Sequence, residues 1–177
     1  MSLVFITGLI GSLILVIGAA YQDAAPAPRP VQSKKNWLFV TGAFIMLIYA
    51  VLSYFSGGPF YFVILEILMS FACVLMMTNL SERLKTIILG VAGLGALIWS
   101  ISLPGDKTII WFVLGLVGIS VGYVLQADTP RREAALTLGS LLIAYYSYVE
   151  NSWIFFGLNA VFAIFSSYYL FKFLKKS

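Results

Sequence analysis

Charge is the scarcest resource in this chain. Of 177 residues only 10% are charged, against 61% hydrophobic, and the mean hydropathy is +0.99. A soluble domain carries about 25% charged and about 45–50% apolar residues. So few charges cannot cover a water-facing surface. A soluble globular enzyme, a nucleic-acid-binding domain and a disordered chain are therefore excluded, and a polytopic membrane protein is left. Histidine is absent and cysteine occurs once, at Cys73. No imidazole base, Ser-His triad or histidine metal site can form. A lone cysteine inside an apolar run makes neither an intrachain disulfide nor a cysteine-only metal site, and is expected to be a small core residue. No catalytic residues, metal or cofactor are expected, and the chain is not expected to be an enzyme.

What the sequence has in abundance is long apolar runs. Seven stand out: Leu3–Ala20, Trp37–Phe55, Phe60–Thr78, Thr86–Leu103, Thr108–Leu125, Ala134–Val149 and Trp153–Phe171. A spanning helix needs about 20 residues. The breaks between the runs are turn or charge signals, such as Ser56-Gly57-Gly58-Pro59 and Pro104-Gly105-Asp106-Lys107. The first run has no Lys or Arg in Met1–Ile6, so it lacks the positive leader of a signal peptide and is expected to be retained.

The basic residues then orient the spans. With seven helices, one side of the membrane receives only Lys107. The other receives Arg29, Lys34, Lys35, Arg83, Lys85, Arg131, Arg132, Lys172, Lys175 and Lys176. Lys and Arg concentrate in cytoplasmic loops. The N-terminus is therefore expected outside and the C-terminus in the cytoplasm, in a plasma or inner membrane. Six or eight spans would break this partition. The net charge of +4 is a topology signal and a lipid-headgroup contact, not a nucleic-acid patch. Trp37, Trp99, Trp111 and Trp153 lie at or near span ends, where interfacial aromatics settle.

An internal repeat is visible. Gly8-Leu9-Ile10-Gly11 matches Gly115-Leu116-Val117-Gly118, and each of these spans runs on to a Gln, Gln22 or Gln126. Gly42 and Tyr49 match Gly139 and Tyr146; Phe62, Leu65 and Glu66 match Phe155, Leu158 and Asn159. Three spans make an odd unit, so a linker helix is needed to keep two copies parallel. The expectation is an all-α membrane protein with a 3+1+3 arrangement. Residues 1–80 form the first triple-helix unit, 86–103 the linker helix and 108–173 the second unit, within one membrane domain. Parallel repeats about an axis normal to the membrane are one transporter architecture. Gly118-x-x-x-Gly122 and the group Gly90, Gly93, Gly95 are expected to serve close helix packing.

This pattern resembles the SWEET sugar transporters and their half-size SemiSWEET relatives, in the wider group with PQ-loop proteins and PnuC-type vitamin transporters. The residues that carry the resemblance are Gly139 to Tyr146 and the run Trp153-Ile-Phe-Phe-Gly-Leu-Asn159. The resemblance implies that an Asn midway along the third helix of each unit faces the substrate. Asn159 matches that position; Glu66 stands in its place in the first unit. The Pro-Gln pair that ends the first helix of a unit in that family is replaced here by Tyr21-Gln22 and Leu125-Gln126.

Glu66 is the only ionisable residue well inside a span, roughly 9 Å from its start at about 1.5 Å per residue. A charged carboxylate at the centre of a spanning helix costs about 2.5–3.5 kcal/mol on insertion scales. Such a group is expected to face the bundle interior and to find a partner. Glu66 and Asn159 are expected to face each other across the pseudo-axis, with Tyr49 and Tyr146 at matched positions lining the same site. Glu66 would carry a proton exchanged with the solute or accept hydrogen bonds from it. The alternative is a protonated Glu that locks two helices together.

Two function classes follow. One is a secondary transporter or facilitator of a small polar solute, sugar-like or vitamin-like, working by alternating access between the two units. Its partners are the solute and membrane lipid. The other is a non-catalytic accessory subunit, whose partner is a second copy of the chain or another membrane protein.

Overall fold

The computed structural model describes residues 2–21, 29–103, 108–125 and 129–175. Gln22, Gln126, Lys107 and Lys176 lie outside the described residues. Among the described residues the chain forms seven α-helices and no strand: α1 (Leu3–Ala20), α2 (Lys34–Phe55), α3 (Tyr61–Met76), α4 (Glu82–Ser102), α5 (Ile109–Val124), α6 (Pro130–Val149) and α7 (Trp153–Leu174). A short 3-10 turn, Pro30–Gln32, precedes α2. Each helix overlies one of the seven apolar runs.

The helix ends follow from capping chemistry. Ser2 accepts from the Phe5 amide at 3.3 Å and starts α1; Ser33 accepts from the Asn36 amide at 3.1 Å and starts α2. These caps satisfy amides that have no intrahelical partner. The start of α2 is further held by Asn36 Nδ2 donating to the Pro30 carbonyl at 3.0 Å and Trp37 Nε1 donating to the Val31 carbonyl at 2.9 Å. Gly57, at φ +94°, turns the chain out of α2 in the left-handed region that glycine tolerates. Asn151, at φ 55°, makes the corresponding turn between α6 and α7.

α6 begins four residues before the apolar run Ala134–Val149. The Thr129 hydroxyl accepts from the Arg132 amide at 3.3 Å, and Pro130 occupies the first helical position. Proline's missing N–H costs nothing there. The charged turn Arg131-Arg132-Glu133 is therefore helical, with Arg132 and Glu133 paired at 2.8 Å.

Among the described residues four helices are long and apolar enough to cross a membrane: Leu3–Ala20, Lys34–Phe55, Arg83–Ser102 and Trp153–Leu174. Tyr61–Met76 and Ile109–Gly122 are shorter apolar helices. Large apolar side chains stand exposed along them, among them Val91, Ile98, Leu114, Ile164 and Phe171. So many exposed large apolar side chains suit a membrane setting. Trp37, Trp99, Trp111 and Trp153 are all exposed near helix ends.

The chain divides into two compact units, Met1–Lys85 and Thr86–Ser177, with the boundary inside the first turn of α4. In the first unit α2 packs on both α1 and α3; in the second α6 packs on both α5 and α7. Glycine makes the closest approaches. In the α1/α2 seam, a Cβ at Gly8 would stand 2.8 Å from the Tyr49 ring, one at Gly11 3.0 Å from Met46 Cγ, one at Gly42 2.7 Å from Leu15 Cγ, and one at Gly18 3.1 Å from Leu38 Cβ and 3.6 Å from Phe39 Cδ2. In the α5/α6 seam, Phe112 lies against Tyr146, with ring centroids 5.2 Å apart. A Cβ at Gly115 would stand 2.8 Å from Ile143, one at Gly139 2.6 Å from the Ile119 amide nitrogen, and Gly122 meets Leu136.

The two seams run in one register. Gly8–Tyr49, Gly11–Met46, Leu15–Gly42 and Gly18–Phe39 correspond in order to Phe112–Tyr146, Gly115–Ile143, Ile119–Gly139 and Gly122–Leu136. A single numbering shift relates α1 to α5 and another relates α2 to α6 at the first three points, and at the fourth Gly18 meets both Leu38 and Phe39. This register places Gly11, not Gly8, opposite the position of Gly115. Alignment by identity alone slips α1 by about one turn.

In α4, a Cβ at Gly93 would stand 2.7 Å from Ser120 Oγ of α5, so this glycine also sits at a close approach, whereas Gly95 faces open space.

Candidate functional site

α3 is buried on most sides, and Phe62, Glu66, Ser70 and Cys73 follow one another along it at helical spacing. Residues four, four and three apart lie one above another on a helix. Glu66 is 3% exposed, and its Oε2 has no hydrogen-bond partner among the described residues. Ser70 Oγ, one turn on, donates to the Ala43 carbonyl of α2 at 3.3 Å rather than to the carboxyl. Cys73 is buried and free, as a small core residue would be. An unmet carboxyl oxygen is unusual, because most buried polar atoms find a partner and an unmatched one costs about 1–3 kcal/mol.

Tyr49 belongs to the same unit. It is buried, its ring covers Gly8, and its hydroxyl bonds with the Ser53 side chain. The ring's first role is thus to fill the space that glycine leaves in the α1/α2 seam.

The second unit has the corresponding face on α7: Phe155, Asn159 and Ala163, all buried. Asn159 Nδ2 donates to the Phe155 carbonyl of its own helix at 2.9 Å. That bond turns the amide's carbonyl Oδ1 away from the Phe155 carbonyl. Tyr146 is buried against Phe112 in the α5/α6 seam. Its neighbours Tyr145 and Tyr148 are half exposed, Tyr145 edge-on to Trp111 and Tyr148 edge-on to Trp153. Of the sequence-predicted site residues, Glu66 and Tyr49 thus lie in the first unit and Asn159 and Tyr146 in the second, and each pair is described within its own unit.

Sequence reasoning missed two features. α6 buries a polar stripe, Glu133, Thr137, Ser140 and Ser147, spaced four, three and seven apart. Ser147 Oγ is satisfied by the Ile143 carbonyl at 2.7 Å, Glu133 is paired with Arg132, and Thr137 Oγ1 has no partner among the described residues. The helical spacing of these residues was the available signal. The second feature is a groove of about 540 Å³ between α6 and α7, lined by Leu141, Ala144, Tyr145, Tyr148, Phe156, Ala160, Ala163, Ile164 and Ser167. It is almost wholly apolar and includes none of the four predicted site residues. Such a groove depends on small side chains from two helices meeting, which spacing in one helix does not announce.

No family model, curated protein or solved structure matches the chain.

Proposed function

We propose that this chain is a secondary transporter or facilitator of a small polar solute, built as a seven-span membrane protein. It carries two parallel triple-helix units, α1–α3 and α5–α7, joined by α4, with the N-terminus outside and the C-terminus in the cytoplasm. The shared register of the α1/α2 and α5/α6 seams supports the repeat. So does the shared burial pattern of Phe62, Leu65 and Glu66 with Phe155, Leu158 and Asn159. The likeness to SWEET-type transporters rests on Gly139 to Tyr146 and the run from Trp153 to Asn159. The loop distribution of Lys and Arg supports the orientation.

The observation that carries the function is Glu66. A carboxyl buried in an apolar helix, with an oxygen that no described group satisfies, destabilises the fold it sits in. A purely structural role would spend that oxygen on a neighbouring helix, and Ser70, one turn away, bonds elsewhere. Costly, unmet polar groups inside a membrane protein mark ion or substrate pathways. Glu66 and Tyr49 of the first unit and Asn159 and Tyr146 of the second are the residues assigned to the solute.

The test is thermal stabilisation of the purified protein, screened over sugars, vitamins and amino acids. A binder raises the unfolding temperature, by roughly 2.7 kcal/mol of added stability at about 100 times its Kd. The stabilisation should weaken on Asn159→Ala and on Glu66→Gln. If no solute stabilises the protein, the accessory-subunit reading replaces this one. One observation favours that second reading: the apolar α6/α7 groove, which offers a surface to another membrane protein.

A further inference from the structure

We infer that the α6/α7 groove binds one acyl chain of an amine-bearing zwitterionic phospholipid, in the leaflet on the side of the α6/α7 turn. The inference shares the membrane setting with the transporter reading but not the site, since the groove contains none of the residues assigned to the solute. Its dimensions fit such a chain. The groove holds about 540 Å³ and follows α7 from Phe156 to Ser167. At about 1.5 Å per residue that is roughly 16 Å, close to half of a hydrocarbon core about 30 Å thick. Its mouth is at the α6/α7 turn, because Tyr148 and Phe156, which line it, lie close to the end of α6 and the start of α7. The groove thus runs from one membrane face to about the midplane, which is the path of one acyl chain. Averaged over that length its section is about 33 Å². A helix, about 10–12 Å across with its side chains, fills roughly 80–110 Å². An extended chain enters a furrow that narrow, and a helix does not.

Lipid gains van der Waals contact in such a groove rather than hydrophobic burial, because acyl tails are as apolar as Leu. An unfilled furrow forfeits contacts along its lining, and a polymethylene chain restores them. Small side chains make the room. In the proposed repeat the first unit carries larger ones at the corresponding positions. Leu47 stands for Ala144 by the shift that relates α2 to α6. Ile67 and Val74 stand for Ala160 and Ser167 by the shift that matches Glu66 with Asn159. The second unit has given up bulk where the chain would lie.

The mouth selects the head group. Tyr148, Trp153 and Phe156 form an aromatic cluster there, with ring centroids 5.8, 5.9 and 6.1 Å apart, and Tyr148 and Trp153 are exposed. Tyr O–H and Trp N–H groups settle at the head-group level, where they donate to phosphate and ester oxygens. The turn itself, Glu150-Asn151-Ser152, adds a carboxylate and no Lys or Arg. A carboxylate attracts the ammonium of an ethanolamine or choline head group and repels a head group of net negative charge.

The experiment uses the full-length protein in nanodiscs of equal parts phosphatidylethanolamine and phosphatidylglycerol. A trace of one lipid or the other carries a diazirine at the middle of its sn-2 chain, and adducts formed on irradiation are mapped by peptide mass spectrometry. The ethanolamine probe should label residues 141–148 and 156–167 above the exposed faces of α1, α2 and α4, and the glycerol probe should label them less. The double variant Ala144→Leu/Ala160→Ile, which installs the first unit's side chains, should lose the groove adducts and keep those elsewhere. Glu150→Gln should bring the two probes level. The wild-type map stands even if the double variant fails to fold. Adducts spread evenly over all exposed helices overturn the inference. Equal groove labelling of the wild type by the two probes overturns it as well, because the mouth then reads no head-group charge. A groove without adducts, in a protein whose dimer the double variant dissociates, overturns it in favour of a second copy as the occupant. None of these outcomes bears on stabilisation by a solute, so failure here and failure of the transporter reading are distinct.

Discussion

The α5/α6 seam makes a quantitative prediction through Gly139. An added Cβ there would stand 2.6 Å from the Ile119 amide nitrogen, 2.9 Å from the Gly115 carbonyl oxygen and 2.9 Å from the Gly118 carbonyl carbon. All three are backbone atoms of one helix, so no side chain can swing aside. Relief requires α5 to retreat from α6 along its length. Overpacking of this kind costs typically 1–3 kcal/mol, and the upper end applies where backbone must move. Alanine returns roughly 0.5–1 kcal/mol by its higher helix propensity. Gly139→Ala should therefore lose about 2 kcal/mol. Gly157, on α7, is the matched control: its Cβ would meet nothing within 4 Å, so Gly157→Ala should gain about 0.5–1 kcal/mol. The two variants differ by about 3 kcal/mol. At about 2–4 °C per kcal/mol for a chain of this size, their thermal transitions in detergent should separate by roughly 6–12 °C. Gly8→Ala should fall between them, because the obstacle is the Tyr49 ring, a side chain that can turn. If Gly139→Ala is as stable as Gly157→Ala, the two helices do not meet through this glycine and the seam is wrong.

Glu66→Leu removes a buried oxygen that has no partner, so it should raise thermal stability by the equivalent of about 1–3 kcal/mol while abolishing solute-dependent stabilisation. A loss of stability would show instead that Glu66 is a structural lock between helices. The orientation predicts that, in a Cys73→Ser background, cysteines placed at Gly57 and Ser152 react with an impermeant thiol reagent in intact cells. Cysteines at Ser81 and Thr129 should react only after permeabilisation, and the reverse pattern would invert the topology.

The helices were legible because apolar runs and their breaks lie in plain order along the chain. Leu3–Ala20 and the Trp153 start of α7 coincide with their runs to the residue. The start of α6 was less plain, because Arg131, Arg132 and Glu133 interrupt the hydrophobic signal even though Thr129-Pro130 is a helix-start signature. The proposed repeat was read from matched glycines, and the register of the two seams was not legible in them. Two Gly-x-x-Gly pairs align readily by identity, whereas packing aligns Leu15 with Ile119, two apolar residues that each meet a glycine. Glu66 stood out because a charge within an apolar run needs no contacts to be noticed. What Ser70 does with its hydroxyl, and so whether the carboxyl is met, depends on how α3 lies on α2, and no pattern within α3 encodes that. The α6/α7 groove was hidden for the same reason.

The central claim, that the protein moves a solute by way of Glu66, is tested most directly in proteoliposomes. The measurement is uptake of the solute that most stabilises the purified protein, by the wild type, Glu66→Gln and Gly157→Ala. The account predicts saturable uptake by the wild type and by Gly157→Ala, and uptake near that of empty vesicles for Glu66→Gln in a folded variant. Wild-type uptake no greater than that of empty vesicles, or undiminished uptake by Glu66→Gln, would contradict it.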